Sequence, residues 1–522
     1  MVHIATSLFH RRSPAKLCRG DDDCGMLFAA EMLFTFTKTK NQMKYRYIST
    51  AILASLLATL AQAQSTASSP RLVISIAIDQ LRTDYLEQYA SLYSTDGFKR
   101  LLSEGNVFTD GSYPFTPIDR ASAVATLSTG TTPHYHGISA LRWLDRKTLR
   151  PISCVDDKQY AGVYTLSNHS PQHLLTSTLG DELKISTQGK AIVYGIAPFS
   201  DAAILSAGHA ADGALWIDEQ NGSWCSSNYY FRSVPKWFNE FAVTNKYKGY
   251  QLSSGVNTAV TDMALECIAK TQMGTDEATD LLTLTYYAGA DEKLTKRQDI
   301  YLGLDRDLGR LIKTVETSLG KNHVLFVISG TAYTLDDNSD YGKYRIPTGT
   351  FYINRTANLM NVYLSAIYGQ AHYVEGYYAH QIYLNHKLLE EKRLSLNEIL
   401  DRCEEFLMQN AGVRDVYTIR RLMTSADSHT EKIHHGYNTV NCGDILIEVA
   451  PGWNIQNEET HETYQHRASM AMFPIIFYGS GVKARRIAIP VSADRIVPTI
   501  AKAIRIRAPN ACSAAPFDEV AP

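Results

Sequence analysis

Apolar runs that end in polar or glycine-containing turns recur along most of the chain. Residues 72–78 are apolar apart from Ser75 and rich in branched side chains, which predicts a buried parallel strand ending at Asp79. Similar runs predict strands at 191–197, 281–287, 323–328, 444–449 and 473–478. Helical periodicity predicts amphipathic helices at 92–104, 255–271, 294–318 and 395–410. Alternating strands and helices indicate an α/β fold, a three-layer α/β/α sandwich with a mostly parallel central sheet.

One segment departs from this alternation. Residues 332–440 mix a strand-like stretch at 351–354 with helical patterns at 380–410. We expect a small inserted α+β subdomain there, within a main domain that spans 71–522. In open parallel sheets, functional sites collect where the strands end. Asp79, Gly289 and Gly330 follow predicted strands and mark the edge of the sheet where chemistry should be sought.

The N-terminal region has the features of a signal peptide at 43–63. A basic start at 43–46 precedes an apolar run at 48–60 and the Ala-Gln-Ala sequence at 61–63. We expect cleavage before Gln64, export to the periplasm or beyond in a Gram-negative type of cell, and no transmembrane anchor afterwards. Residues 1–42 are either an untranslated leader from a misassigned start codon or a real extension. The first alternative is favoured because a signal peptide works from the N-terminus.

Composition narrows the functional classes. The 522 residues are 45% hydrophobic and 20% charged, which is typical of a globular protein. The 51 basic and 53 acidic residues nearly balance, so we expect no nucleic-acid partner. Six cysteines follow the signal peptide, and none lies in a C-x-x-C zinc pattern. Export would permit one or two disulfides, and buried reduced thiols are the alternative.

Several segments resemble the alkaline phosphatase superfamily in their order and spacing. They include IDQLRTDYL from Ile78, STGTTPHYHGI from Ser128, YLGLDRDLGRLI from Tyr301, and PIIFYGSG from Pro474. The resemblance covers about 71–522 and is greatest to secreted bacterial phosphomonoesterases, which are related to type I phosphodiesterases and nucleotide pyrophosphatases. It implies two zinc ions, bound by Asp and His side chains, that activate a Thr or Ser nucleophile and hold the phosphoryl oxygens.

The residues at the family's site positions differ from that pattern. The resemblance places a retained metal ligand at Asp79 and the nucleophile position at Arg120. The remaining ligand positions carry residues with neither carboxylate nor imidazole groups: Tyr286, Ala290, Gly330, Thr331 and Met472. The substrate-binding positions likewise carry Leu141, Phe199 and Asp201. An arginine cannot be the phosphorylated nucleophile, and a carboxylate at 201 would repel a phosphate dianion.

These substitutions favour a secreted, catalytically inactive protein that binds a small ligand or an envelope protein and needs no cofactor. The alternative is a zinc-dependent phosphomonoesterase or phosphodiesterase with a relocated site, in which Thr116 or Ser122 would supply the hydroxyl. A third possibility is a structural component of a larger secreted assembly. We expect Asp79 to cap a helix or to pair with Arg120. The histidines near this site belong to framework segments: His134, His136 and His209.

Overall fold

The computed structural model describes residues 69–247, 255–289, 296–333, 341–464 and 471–520. These residues belong to one compact unit that begins at Ser68. The predicted leader and signal peptide at 1–63 lie outside the described residues, as does Ala290.

The strands are β1 (Leu72–Asp79), β2 (Asn106–Ser112), β3 (Arg142–Asp145), β4 (Arg150–Ser153), β5 (Gly162–Val163), β6 (Val193–Ile196), β7 (Gly213–Ile217), β8 (Trp224–Ser227), β9 (Asp280–Tyr287), β10 (Val324–Gly330), β11 (Gly349–Tyr352), β12 (Val374–Tyr378), β13 (Gln381–Leu384), β14 (Val413–Thr418), β15 (Ile445–Val449), β16 (Trp453–Gln456), β17 (Thr463–Tyr464), β18 (Phe473–Gly479) and β19 (Arg485–Ser492).

The α-helices are α1 (Thr83–Gln88), α2 (Phe98–Glu104), α3 (Arg120–Thr129), α4 (Pro133–His136), α5 (Leu179–Ser186), α6 (Ser200–Ala207), α7 (Lys236–Thr244), α8 (Gly255–Thr271), α9 (Arg297–Leu319), α10 (Ile353–Tyr368), α11 (His386–Glu391), α12 (Leu396–Met408), α13 (Ile419–Thr424), α14 (Ser428–Gly436) and α15 (Ile496–Ala503).

A ten-stranded sheet organises the main part of the unit, in the order β19-β2-β18-β10-β1-β9-β6-β7-β8-β5. The central strands β10, β1, β9, β6 and β7 are parallel, and antiparallel pairs occur at β18, β8 and β5. Ile78 of β1 lies opposite both Gly330 and Tyr286, so three strand ends meet at one edge. The predicted α/β fold with a mostly parallel sheet is confirmed.

Burial on both faces explains the apolar run of β1. Val73 and Ala77 belong to one hydrophobic cluster, which includes residues of α3, α6 and α15. Ile74 and Ile76 belong to the cluster on the other face, with residues of α8 and α9. Full burial of each such side chain contributes roughly 1.5–3 kcal/mol to the stability of the fold. Burial on both faces therefore holds β1 between two helical layers.

The predicted helix at 92–104 is wrong in its first half, because α2 begins only at Phe98. The side chain of Asp305 accepts hydrogen bonds from the backbone N–H groups of Ser94 and Phe98. A Cβ atom on Gly97 would lie 2.2 Å from Asp305 Oδ1. A turn held by this distant carboxylate therefore replaces the first turns of the predicted helix.

A second group of elements lies between β10 and β18 in the sequence. It forms a four-stranded sheet, β12-β13-β15-β14, and a three-stranded sheet, β11-β16-β17, with a hydrophobic cluster of its own. Residues 381–384 form a strand where helical periodicity was predicted, because all four side chains are buried. The strand-like stretch at 351–354 ends early, since α10 begins at Ile353.

The six described cysteines are free thiols, and five of them are buried. The alternative of buried reduced thiols therefore describes this structure better than a disulfide.

Candidate functional site

The candidate site lies at the carboxyl end of β1, where the register of the parallel strands brings Asp79 close to Thr331. Asp79 is 1% exposed, and its Oδ1 accepts a hydrogen bond of 2.8 Å from Thr331 Oγ1. The backbone N–H of Gln80 donates in turn to Thr331 Oγ1 at 3.1 Å. Asp79 does not cap a helix, because α1 begins at Thr83 with Arg82 at the N-cap and no side-chain hydrogen bond there.

Arg120, the first residue of α3, forms a bidentate ion pair with Asp201 of α6. The distances are 2.9 Å from Nε to Oδ2 and 3.0 Å from Nη2 to Oδ1. The guanidinium carbon lies 3.8 Å from the centroid of the Phe199 ring. The expected pair with Asp79 is only a long contact of 3.8 Å from Nη1 to Oδ2. Asp201 was not identified from the sequence as the main partner of Arg120. The unusual opposite charges at positions 120 and 201 were the signal that could have revealed this pair.

Asp119 fixes the start of α3 and hence the position of Arg120. Its side chain accepts from the backbone N–H of Ser122, and the Ser122 hydroxyl accepts from the N–H of Asp119, which makes a capping box. The other carboxylate oxygen accepts from the backbone N–H of Leu141. The hydroxyl of Ser122 is thus held in a helix cap, which argues against its proposed use as a nucleophile.

Burial and charge set the protonation of this cluster. Burial raises the pKa of Asp79 to about 6, although Arg120 and the Thr331 hydrogen bond lower it in part. Burial lowers the pKa of Arg120, but the carboxylates, Asp201 first, raise it more, so the net change is upward. Burial also raises the pKa of Asp119. With every group ionised, three carboxylates surround one guanidinium, and this excess of negative charge opposes the binding of a phosphoryl group.

Of the other positions predicted to have lost metal ligands, 286 and 330 are packed into the fold and 472 is exposed. Tyr286 is buried, and its hydroxyl is 2.9 Å from Thr261 Oγ1 of α8. A Cβ atom on Gly330 would lie 2.6 Å from Phe473 Cβ, so any side chain there would require the backbone at Phe473 to move. Met472 is 60% exposed and contributes its carbonyl to a hydrogen bond from Thr83 N–H.

The predicted substrate-binding positions are apolar or already paired. Leu141 packs against the hydrophobic cluster that contains α3. Phe199 contacts Tyr287 edge-on, with ring centroids 6.3 Å apart. Asp201 is buried by its pair with Arg120. None of these three side chains resembles a phosphate-binding group.

The described residues around Asp79 do not fit a zinc centre. Within the described ranges, no three His, Cys, Asp or Glu side chains are grouped so that they could hold a metal ion. One carboxylate oxygen of Asp79 accepts the hydrogen bond from Thr331, and the other carboxylate oxygen faces the cationic Arg120. His136 is bonded to Thr126 Oγ1 at 3.1 Å, and His209 to Asp181 at 3.1 Å, which are framework roles as expected. None of the described helices is both long and apolar enough to cross a bilayer.

Comparisons with known proteins agree with the fold. The sequence profile of the type I phosphodiesterase / nucleotide pyrophosphatase family matches residues 73–470. Alkaline phosphatase PafA of Elizabethkingia meningoseptica is 27% identical over 88% of this chain and 96% of its own length. Alkaline phosphatase PhoV of Synechococcus elongatus is 25% identical over 85% and 92%. The crystal structure of wild-type PafA superposes with a TM-score of 0.77 at 25% identity, covering 87% of this chain and 100% of that one.

Proposed function

Because this chain belongs to the type I phosphodiesterase / nucleotide pyrophosphatase family, within the alkaline phosphatase superfamily, we propose that it is a non-catalytic member of that family. In this proposal an internal ion pair replaces the metal centre, and the protein acts by binding a small ligand or an envelope protein. The observation that carries the proposal is the bidentate pair of Arg120 with Asp201 at the end of β1.

The pair is incompatible with the family's chemistry for two reasons. A guanidinium is not a nucleophile at any accessible pH, because it stays protonated. Its positive charge also occupies the space beside Asp79 that a metal ion would need. Removing a single stabilising group from an active site typically reduces the rate by about 10²–10³-fold. Loss of the nucleophile and of several ligands together should therefore abolish hydrolysis.

In this proposal the family's fold is retained, while an ion pair fills the position of the metal centre. That combination supports a binding role rather than a residual enzymatic one. The charges of Asp79, Asp119 and Asp201 exceed that of Arg120, so a phosphate ester would meet net repulsion there. We propose that no zinc is required for folding and that recognition uses the surface of the protein. Export through the signal peptide at 43–63 would place that surface in the periplasm or outside the cell.

The second candidate is a zinc-dependent phosphoric ester hydrolase. The alkaline phosphatases among the relatives favour it. Residues 334–340 and 465–470, outside the described ranges, contain Asp336, Asp337, Asp340 and His466, which are chemically suitable zinc ligands. A relocated site would have to combine such residues with a hydroxyl nucleophile.

Zinc stoichiometry separates the two candidates. The mature chain, residues 64–522, should be purified without a metal-binding tag and dialysed against trace zinc. We expect no stoichiometric zinc in the folded protein and no hydrolysis of p-nitrophenyl phosphate or of its diester. About two zinc ions per chain, with metal-dependent hydrolysis, would instead establish the hydrolase.

The variant Arg120→Thr is the matched control for this experiment. It restores a hydroxyl at the nucleophile position but supplies no metal ligand. We therefore expect it to remain inactive with added zinc. Metal-dependent hydrolysis by this single variant would contradict the proposed loss of the ligands.

A further inference from the structure

The segment that contains α14 is fastened to the main sheet domain close to the candidate site. Thr116 N–H donates to the carbonyl of Lys432 at 3.0 Å, and His435 Nδ1 lies 3.1 Å from the carbonyl of Pro114. Gly436 passes so near that a Cβ atom would be 2.5 Å from Thr116 O. The loop at 114–117 leads directly into the N-cap of α3, so this attachment borders the segment that positions Arg120.

A second set of hydrogen bonds attaches the residues after α14 to α4. His134 Nδ1 lies 3.0 Å from the carbonyl of Tyr437, and Asn438 Nδ2 donates to the carbonyl of His134 at 3.1 Å. Asn441 Nδ2 donates to the carbonyl of Gly137 at 2.8 Å. The two sets together hold residues 428–441 against 114–117 and 134–137.

Three imidazole rings are grouped within this attachment. The ring centroids of His134 and His434 are 4.7 Å apart, and those of His434 and His435 are 6.3 Å apart. Nε2 of His434 is buried and has no hydrogen-bond partner. Because carbonyls only accept hydrogen bonds, His134 and His435 must carry a proton on Nδ1, and a second proton on either ring would add a positive charge to the group.

Few acidic groups offset such a charge. Glu431 lies one turn earlier on α14 and acts on His434, while Asp494 acts on His435. The pKa of His434 is lowered by burial first and by the charges of His134 and His435 next, with Glu431 opposing. His434 therefore takes up a proton less readily in the attached state than in the detached state.

We propose that His434, packed against the His134 and His435 rings, is the proton-sensitive part of a latch, which holds residues 428–441 against the main domain at neutral pH and releases them when the His434 ring is protonated. The sign follows from the packing, because a charge on the His434 ring, whose Nε2 is buried without a hydrogen-bond partner, is less favourable in the attached state than in water. Above the ordinary His pKa of about 6.5 the His434 ring is neutral in both states, and the latch keeps its full stability. Below that pH the detached state gains protons first, and the latch weakens as the pH falls.

Release would free the 114–117 loop next to α3 and expose the main-chain groups that now pair across the contact. This inference is independent of the proposed function, because it needs neither a metal nor a ligand at the Arg120 site. It can therefore fail while the non-catalytic assignment holds, and the reverse is also possible.

Hydrogen–deuterium exchange on the intact protein at pH 7.5 and pH 5.5 tests the latch. After correction for the intrinsic pH dependence of exchange, peptides from 428–441 and 113–119 should exchange at least threefold faster at pH 5.5, relative to peptides from β1. Unchanged protection of these peptides at pH 5.5 would overturn the proposal. So would an equal rise in β1 peptides, which would show global acid unfolding.

The variant His434→Asn removes the central titrating ring and should abolish the acid-induced rise. His134→Asn provides a second variant, since the Asn amide can donate to the Tyr437 carbonyl as Nδ1 does, and it should reduce the rise. The exposed His372 supplies the control, and His372→Asn should behave as the unmodified protein. A full acid-induced rise in both His434→Asn and His134→Asn would assign the effect to other groups and overturn the proposal.

Discussion

Replacing the Asp79 carboxylate with the neutral amide of Asn should stabilise the protein at neutral pH. Burial raises the pKa of this group from 3.8 to about 6, so the folded state disfavours the ionised carboxylate. The Asn oxygen can still accept the hydrogen bond from Thr331 Oγ1. Arg120 keeps its bidentate partner Asp201 and loses only the long 3.8 Å contact.

The magnitude follows from the difference between the two pKa values. At about 1.36 kcal/mol for each pKa unit, keeping Asp79 ionised in the folded state costs about 3 kcal/mol above pH 6. The cost develops as the pH rises from 3.8 to 6, because in that range the folded state binds the proton and the unfolded state has released it. Asp79→Asn should therefore raise the free energy of unfolding by up to about 3 kcal/mol at pH 7.5 and by much less near pH 4.

Urea unfolding followed by tryptophan fluorescence at pH 7.5 and pH 4.5 measures this difference. Asp201→Asn is the matched control, since the same chemical change breaks the bidentate pair and should destabilise the protein by about 3 kcal/mol. A zinc centre would give the opposite result for Asp79→Asn, because loss of a ligand removes binding energy from the folded state. Destabilisation by more than about 1 kcal/mol, or a gain independent of pH, would refute the reasoning.

Two further predictions concern the packing of the site. In a double-mutant cycle, Arg120→Met alone should cost about 3–5 kcal/mol because it leaves buried carboxylates unpaired, and adding Asp201→Leu should recover much of that loss in urea unfolding. Additive effects would show that the pair is not coupled. Gly330→Ala should cost about 1–3 kcal/mol, since the new Cβ would be 2.6 Å from Phe473. Gly303→Ala in α9, where only Arg306 Nη2 lies within reach at 4.0 Å, should instead gain up to about 1 kcal/mol by thermal unfolding.

The parts of the fold that depend on local pattern could be predicted from the sequence. β1 and β9 lie within one residue of the predicted bounds because two-sided burial requires an apolar run of strand length. The first half of the helix at 92–104 could not be predicted, since the turn that replaces it depends on Asp305, about 200 residues later. Residues 381–384 were misassigned for a related reason. All four side chains are buried within the second sheet, and this burial favours a strand. The periodicity of the residues alone does not reveal that burial.

Some features of the candidate site likewise follow from the local sequence, and others depend on distant parts of the chain. The position of Asp79 follows from a strand end that is visible in the sequence, whereas Arg120 was located by the family resemblance and not by a predicted helix start. The partner of Arg120 is not visible in the sequence, because it depends on how α6 approaches α3 across the end of the sheet. Asp119 was also missed, although D-x-x-S before an apolar run is a recognisable helix-capping pattern.

The balance of charges at this edge of the sheet explains why Arg120 and Asp201 form an ion pair. Strand register and helix capping place Asp79, Asp119 and Asp201 close together, whatever the chemistry of the site. Without a cation, these three carboxylates, two of which are buried, would repel one another strongly. One guanidinium can match the geometry of only one carboxylate, and Arg120 is paired in this way with Asp201. Asp119 is compensated by backbone N–H groups, so the remaining cost falls on Asp79, whose pKa is raised to about 6. The proposed loss of the metal ions accounts for a carboxylate in this state, and for that reason Asp79 is the most informative residue to change.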